Sequence, residues 1–434
     1  MAEPTQPKPP TPEAEPAAQE RRGFLARLGP GLVTGAADDD PSGIGTYSQV
    51  GAQFGYGLAW ALFLSTPLMV VIQQISAEIG RVTGAGIAQN LRRHYPRPLL
   101  FAMVTLLLLA NVVNLGADLS AMGAALKLLV GGNATYYTIG FGILCVVLEI
   151  TLSYPRYAAI LKWTTLSLFA YVAVVAVAGV PWPLALRSLV VPGTQWTQAY
   201  ATSLVAILGT TISPYLFFWQ AAQEIEEQHR RYAKPLCIAP GDAEAEFRRI
   251  KTDTLVGMVF SNLVALSIIF ATAATLNAHG MTDIATSSQA AEALRPIAGQ
   301  FAFALFALGI IGTGMLAVPV LAGSAAYAVT EMVGLAGSLN AKLHDARLFY
   351  ATIAVTTLAG ALLDNIGIDP VRALYWAAVV NGVLAVPLMV VMMLIARNGR
   401  AMGRLIIGWR TTVLGWIATL VMLAATVIFF WFSA

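Results

Sequence analysis

Charge is what this sequence lacks most. Asp, Glu, Lys and Arg make up 11% of its 434 residues, against about a quarter in soluble globular domains. Such a chain cannot cover itself with an ordinary water-facing surface. The basic excess is small as well, a net +3, with the basic residues confined to short connections between apolar runs. A nucleic-acid partner is therefore not expected. Two cysteines, Cys145 in an apolar run and Cys237 in a polar loop, supply neither a disulfide framework nor a CxxC metal signature. The four histidines, His94, His229, His279 and His344, fall in loops, which excludes a histidine metal cage inside a membrane. No nucleophile–base pair or phosphate-binding loop stands out, so neither an enzyme nor a cofactor site is expected. Residues 1–20, rich in Pro, Ala, Glu and Gln, lack the basic-then-apolar order of a signal peptide. A disordered cytoplasmic tail is expected over residues 1–24.

What the chain has in abundance is apolar length: 57% of its residues are hydrophobic. A transmembrane helix needs about 20 apolar residues. On that criterion the sequence predicts eleven spans: 28–53 (broken), 57–80, 98–128, 134–153, 159–180, 199–224 (interrupted), 254–276, 299–335, 347–364, 371–396 and 411–432. The eighth is long enough for a bend or an extra turn. With the N-terminus inside, all 26 Lys and Arg fall on the cytoplasmic side except Lys127, Arg187, Arg295 and Arg372. That bias places the C-terminus outside the cell. The longest polar connection, about residues 228–252, is then cytoplasmic. Its Glu244, Glu246, Arg248, Arg249 and Lys251 form a helical run.

Within the first span lies Gly35-Ala36-Ala37-Asp38-Asp39-Asp40-Pro41-Ser42-Gly43. Three carboxylates at membrane depth are too costly to face lipid, and Pro41 cannot continue a regular helix. A broken span is tolerated only where it is buried in protein or lines a watery cavity, which points to a cation site partway across a transporter. The sixth span repeats the device at Gly209-Thr210-Thr211-Ile212-Ser213-Pro214-Tyr215. Paired interruptions at corresponding positions of two halves are the mark of an inverted-repeat transporter with a midplane site. The expected fold is all-α, a single membrane domain over 25–432. Its repeats lie at about 28–180 and 199–396, and the helix 411–432 is additional.

Each candidate residue has a bland reading beside the functional one. Asp40 is a ligand or a cap on the second half-helix. Asp38 and Asp39 point away from Asp40 on any helix, so the three cannot all be direct ligands; one or both pair with a cation or face the vestibule. Asp118 in its apolar span has the bland reading of a buried, hydrogen-bonded structural acid. Gln73 has the bland reading of an amide that bridges helices. Thr210, Thr211 and Ser213 offer hydroxyl oxygens or bond back to their own backbone. Asn381 lines the pathway or packs.

With those residues in view, the chain resembles the Nramp family of divalent-metal transporters, which share the LeuT-like inverted-repeat fold. The resemblance rests on Gly29-Pro30-Gly31 through Asp40-Pro41, Gly57-Leu58-Ala59-Trp60, Gln73-Gln74-Ile75-Ser76-Ala77 and Gly80 through Thr83-Gly84. It continues through Gly116-Ala117-Asp118 and Phe306-Ala307-Leu308-Gly309, covering residues 25–432. The family's first-helix Asp-Pro-Gly-Asn is here Asp40-Pro41-Ser42-Gly43: the aspartate carries over and the metal-binding asparagine does not. The family's Met-Pro-His in helix six is here Ser213-Pro214-Tyr215, and Thr210 falls where the family offers a backbone carbonyl. Without the thioether, the oxygen set formed by Asp40, Thr210, Ser213 and nearby carbonyls suits a harder ion, Mg²⁺ or Mn²⁺. Of the family's proton relay only Asp118 remains, since Ala121, Tyr215 and Ala351 occupy the other positions. Coupling is either absent or carried by Asp38 and Asp39.

The resemblance implies secondary-active or facilitative transport of a divalent cation by alternating access in the plasma (inner) membrane. Asp40 is the principal ligand, and Asp38, Asp39, Gln73, Asp118 and Tyr215 serve pathway or coupling roles. The partners expected are the metal ion, the bilayer and, if coupled, protons. Nothing in the sequence sets the oligomeric state. Two other functions fit the same architecture: transport of a small organic solute such as an amino acid, or a non-transporting membrane sensor or scaffold.

Overall fold

In the computed structural model, the described residues are 30–151, 168–335, 337–363 and 367–433. The tail expected over 1–24 and the start of the fifth span, 159–167, lie outside them. The described chain is helical throughout. In order, the main helices are α1 (Pro30–Asp38), α2 (Pro41–Phe54), α3 (Ala59–Thr83), α4 (Ile87–His94) and α5 (Arg97–Val130). Then come α6 (Ala134–Thr151), α7 (Phe169–Val177), α8 (Trp182–Ser188), α9 (Gln198–Thr211) and α10 (Pro214–Arg230). The last five are α11 (Ala243–Thr275), α12 (Ala302–Val333), α13 (Arg347–Leu363), α14 (Pro370–Ala396) and α15 (Trp409–Ser433). Among the described residues eight stretches, counting 198–230 as one, are long and apolar enough to cross a membrane. The broken α1–α2 pair, the shorter α13 and α7, the described part of the fifth span, accommodate the eleven expected crossings.

Both predicted interruptions are real. Pro41 and Pro214 each occupy the first turn of the helix that follows the break, where the missing N–H costs nothing because that position has no intrahelical acceptor. Glycines let these broken helices press against continuous neighbours. A methyl group on Gly35 would lie 2.4 Å from the Gly257 carbonyl oxygen of α11, and one on Gly209 would lie 2.0 Å from the Ala378 oxygen of α14. Only a bare Cα permits backbones this close.

The seventh and eighth spans bear on two expectations. The seventh, expected to start near residue 254, is one helix from Ala243. Its first turns are held by Arg248 on Glu244 at 3.0 Å, an i,i+4 pair. They are also held by a cluster in which Arg81 meets Glu246 at 2.9 Å and Arg249 pairs with both Glu224 and Glu246. The eighth span runs unbroken as α12 around Pro319. Its Gly323 serves close packing, since an added methyl would sit 2.9 Å from the Trp219 ring.

Candidate metal-binding site

The end of α1 and the start of α2 place three successive carboxylates in the interior: Asp38, Asp39 and Asp40 are each no more than 3% exposed. Asp40 is the N-cap of α2, as the capping alternative expects. Its Oδ1 accepts from the Gly43 backbone N–H at 2.7 Å and from the Ser42 hydroxyl at 2.7 Å. The cap uses only one oxygen. Oδ2 turns the other way, to the Asn114 amide of α5 and the Tyr215 hydroxyl of α10, both at 3.2 Å. Tyr215 also reaches the Ala37 carbonyl at 3.3 Å. Behind Asn114, the Asn381 amide of α14 donates to its Oδ1 at 3.0 Å.

Asp38, the last residue of α1, and Asp39, in the break itself, take a different partner from Asp40. They share one hydroxyl: Ser261 of α11 lies 2.6 Å from Asp38 Oδ2 and 3.1 Å from Asp39 Oδ1. Asp38 Oδ1 accepts no hydrogen bond. Asp118 approaches the Ser42 end of α2, close enough to Asp40 for the two charges to repel. Neither of its carboxylate oxygens is engaged in a hydrogen bond of normal geometry. Among the described residues no Lys, Arg or His forms an ion pair with any of these four acids. Nor do three acidic, histidine or cysteine side chains converge on one point. A cation here would meet fewer than three carboxylates, with neutral oxygens and water completing its shell.

The second break is neutral and turned inward. Ser213 donates to the Gly209 or Thr210 carbonyl, each at 2.9 Å, and Thr211 donates to the Ile207 carbonyl at 3.0 Å. Thr210 faces the first break: its Oγ1 would lie 3.3 Å from a methyl group on Gly43, and the Tyr47 ring equally close. The space beside position 43 is therefore already taken. Gln73 of α3 is buried with neither amide atom in a hydrogen bond. It stands one turn toward the second break from Ser76, whose hydroxyl bonds the Phe217 carbonyl. The helix-bridging alternative for Gln73 is not what the structure contains.

Sequence reasoning missed Asn114, Ser261 and Tyr47. Asn114 had a readable signal: Asn111, Asn114 and Asp118 stand at i, i+3 and i+7 in an otherwise apolar span, a polar stripe on one helical face. Ser261 and Tyr47 had none, because their roles depend on which helices meet. Both breaks are closed from solvent, with residues 37–52 and 205–224 buried throughout. A cavity of about 510 Å³ lies at the far end of α2 between Phe54, Tyr56, Arg187, Pro192 and Asn277. That is about 20 Å from Asp40 at 1.5 Å per helical residue.

Comparison with known proteins places this arrangement. Across 407 residues the chain is 26% identical to the divalent metal cation transporter MntH of Klebsiella pneumoniae (strain 342), covering 92% of each chain. Its fold matches a manganese transporter of Eremococcus coleocola with a TM-score of 0.71 at 17% identity, over 94% of this chain and 87% of that one. It also matches Mhp1 in its inward-facing conformation, with a TM-score of 0.54 at 14% identity over 94% and 91%. These likenesses establish a multi-pass, LeuT-like helical fold with helices one and six broken. Residues 31–432 match the family described as Nramp, natural resistance-associated macrophage protein-like, and the chain belongs to that family.

Proposed function

We propose that this protein carries a divalent cation across the plasma membrane by alternating access, with Asp40 as the principal charged ligand. One observation carries the reading: four buried carboxylates, Asp38, Asp39, Asp40 and Asp118, surround the first break, and among the described residues no basic side chain pairs with them. Buried charge of one sign is costly unless it is compensated, and in a transporter the compensating charge is the cargo, or protons between loads. Asp40 suits the task because its cap oxygen is held by the backbone while Oδ2 meets only neutral groups. Thr210 lines the site through a hydroxyl facing Gly43. Ser213 contributes from the second break by holding the Gly209 and Thr210 carbonyls. Gln73 and Tyr215 border the path between the breaks.

The groups bonded to Asp40 are an amide and hydroxyls, all oxygen-bearing, which favours a hard ion such as Mg²⁺ or Mn²⁺. The relatives' names, a divalent metal cation transporter and a manganese transporter, support the same class. If a proton moves with the metal, Asp38, Asp39 and Asp118 are the groups to hold it. The orientation we propose has a cytoplasmic N-terminus, with the Arg81–Glu246–Arg249 cluster at the inner end and Arg187 at the outer, and a C-terminus outside the cell. The domain spans residues 25–432, its repeats at about 28–180 and 199–396. In proteoliposomes, Asp40→Ala is expected to abolish metal-dependent uptake; uptake at the wild-type rate would sink the assignment.

A further inference from the structure

We infer that Asn114, backed by Asn381, is a direct cation ligand in this protein, and that the two carboxamides turn over together when the ion binds. The inference rests on the reading of Asp40 as the cation's carboxylate. Asn114 sits on α5, apart from either broken helix, yet its amide is the nitrogen donor on the one Asp40 oxygen that the cap leaves out. It is wholly buried, and Asn381 is 1% exposed.

The first break cannot supply a second side-chain oxygen from position 43. Gly43 has no side chain, and a methyl there already lies 3.3 Å from Thr210 Oγ1 and from Tyr47 Cε2. At the second break Thr211 and Ser213 keep their hydroxyls for its own carbonyls, and only Thr210 turns its hydroxyl toward Gly43. Ser42 and Tyr215 offer hydroxyl oxygens to the shell. The neutral donor of choice for a hard cation is an amide carbonyl, and within hydrogen-bonding distance of Asp40 Asn114 provides it.

A carboxamide has both a donor and an acceptor end, so the Asn381–Asn114–Asp40 chain can run in either direction. In the one seen here, Asn381 N–H points to Asn114 Oδ1, and Asn114 N–H points to Asp40. Reversing both amides points Asn114 Oδ1 at an ion held on Asp40 and sends Asn114 N–H to the Asn381 oxygen. The site thus replaces a hydrogen bond to its carboxylate by a cation while both ends of the Asn114 amide stay paired, since leaving either unpaired would be costly. Asn381 is a positioning residue in this scheme, because it touches the ion only through Asn114.

The test is calorimetric titration of the purified full-length protein in lipid nanodiscs with Mn²⁺ and separately with Mg²⁺, alongside infrared difference spectra with isotope-labelled asparagine. Asn114→Leu is expected to weaken both ions by more than about tenfold and Asn381→Leu by about tenfold, the range for groups that hold a ligand in place. The double variant should be no weaker than Asn114→Leu alone, since the two act as one unit. Adding Mn²⁺ to the wild type should shift a labelled asparagine carbonyl band, and Asn114→Leu should remove that shift. A folded Asn114→Leu protein that binds within about threefold of wild type overturns the inference, as does a wild-type spectrum with no asparagine carbonyl shift. Should Asn114→Leu fail to fold, the wild-type spectrum alone decides. Asp40→Asn serves as the control: if it too binds normally, the cation-site reading itself falls rather than the role of Asn114.

Discussion

The two breaks are alike in backbone and opposite in chemistry. Each interrupts a membrane helix at a proline in the first turn of its second half, and each is pressed by a glycine against a continuous helix. At the second break, hydroxyls bond to carbonyls within the same turn, so the broken ends are satisfied locally. At the first, a carboxylate caps the new helix with one oxygen and leaves the other, with three further acids nearby, to be balanced by something else. An interrupted membrane helix is thus no sign of a binding site by itself. Unbalanced charge at the interruption is.

The comparison can be broken hardest through what the two breaks share. Gly35→Leu and Gly209→Leu each drive a side chain into a backbone carbonyl that cannot move aside. Both should cost more than the ~1–3 kcal/mol of ordinary overpacking, read as loss of a monodisperse peak in size-exclusion chromatography. If one alone is tolerated, the breaks are not held in the same way. A smaller effect is expected from their difference. Asp38→Asn with Asp39→Asn removes two charges beside the first break without touching a hydrogen bond to Asp40. It should lower Mn²⁺ affinity about tenfold, or ~1.4 kcal/mol. Affinity unchanged in a titration would mean that Asp40 works without its neighbours. The smallest effect belongs to the closed break. Ser213→Ala gives up a hydrogen bond worth ~1 kcal/mol of stability, so its melting temperature should fall slightly while metal affinity stays within about threefold. A large affinity loss there would make Ser213 a direct ligand.

Much of this was legible in the sequence, for physical reasons that can be named. Spans are readable because a bilayer demands about 20 apolar residues in a row, and breaks because Pro41 and Pro214 forbid continuation. Asp40 stood out from Asp38 and Asp39 through the resemblance of Asp40-Pro41 to the family's first-helix Asp-Pro motif. The rest depended on contacts between distant segments. Asn114 bonds a residue 74 positions away, and Ser261 bonds one 223 positions away. Periodicity shows which face a residue shares, and only packing shows what that face meets. The start of α11 at Ala243 was obscured for a different reason. Its first turns are polar and held by ion pairs, so no apolar pattern marked them as part of the seventh span.

The central claim is that the charge at the first break, and not its cap, holds the cation. Asp40→Asn separates the two, because asparagine caps a helix about as well as aspartate while carrying no charge. Calorimetric titration of Mn²⁺ into the wild type and into Asp40→Asn is the direct measurement. The account predicts an unchanged fold and an affinity lower by more than about 100-fold, beyond the roughly 10–100-fold typical of groups that only orient a ligand. Binding within about threefold of wild type would contradict it.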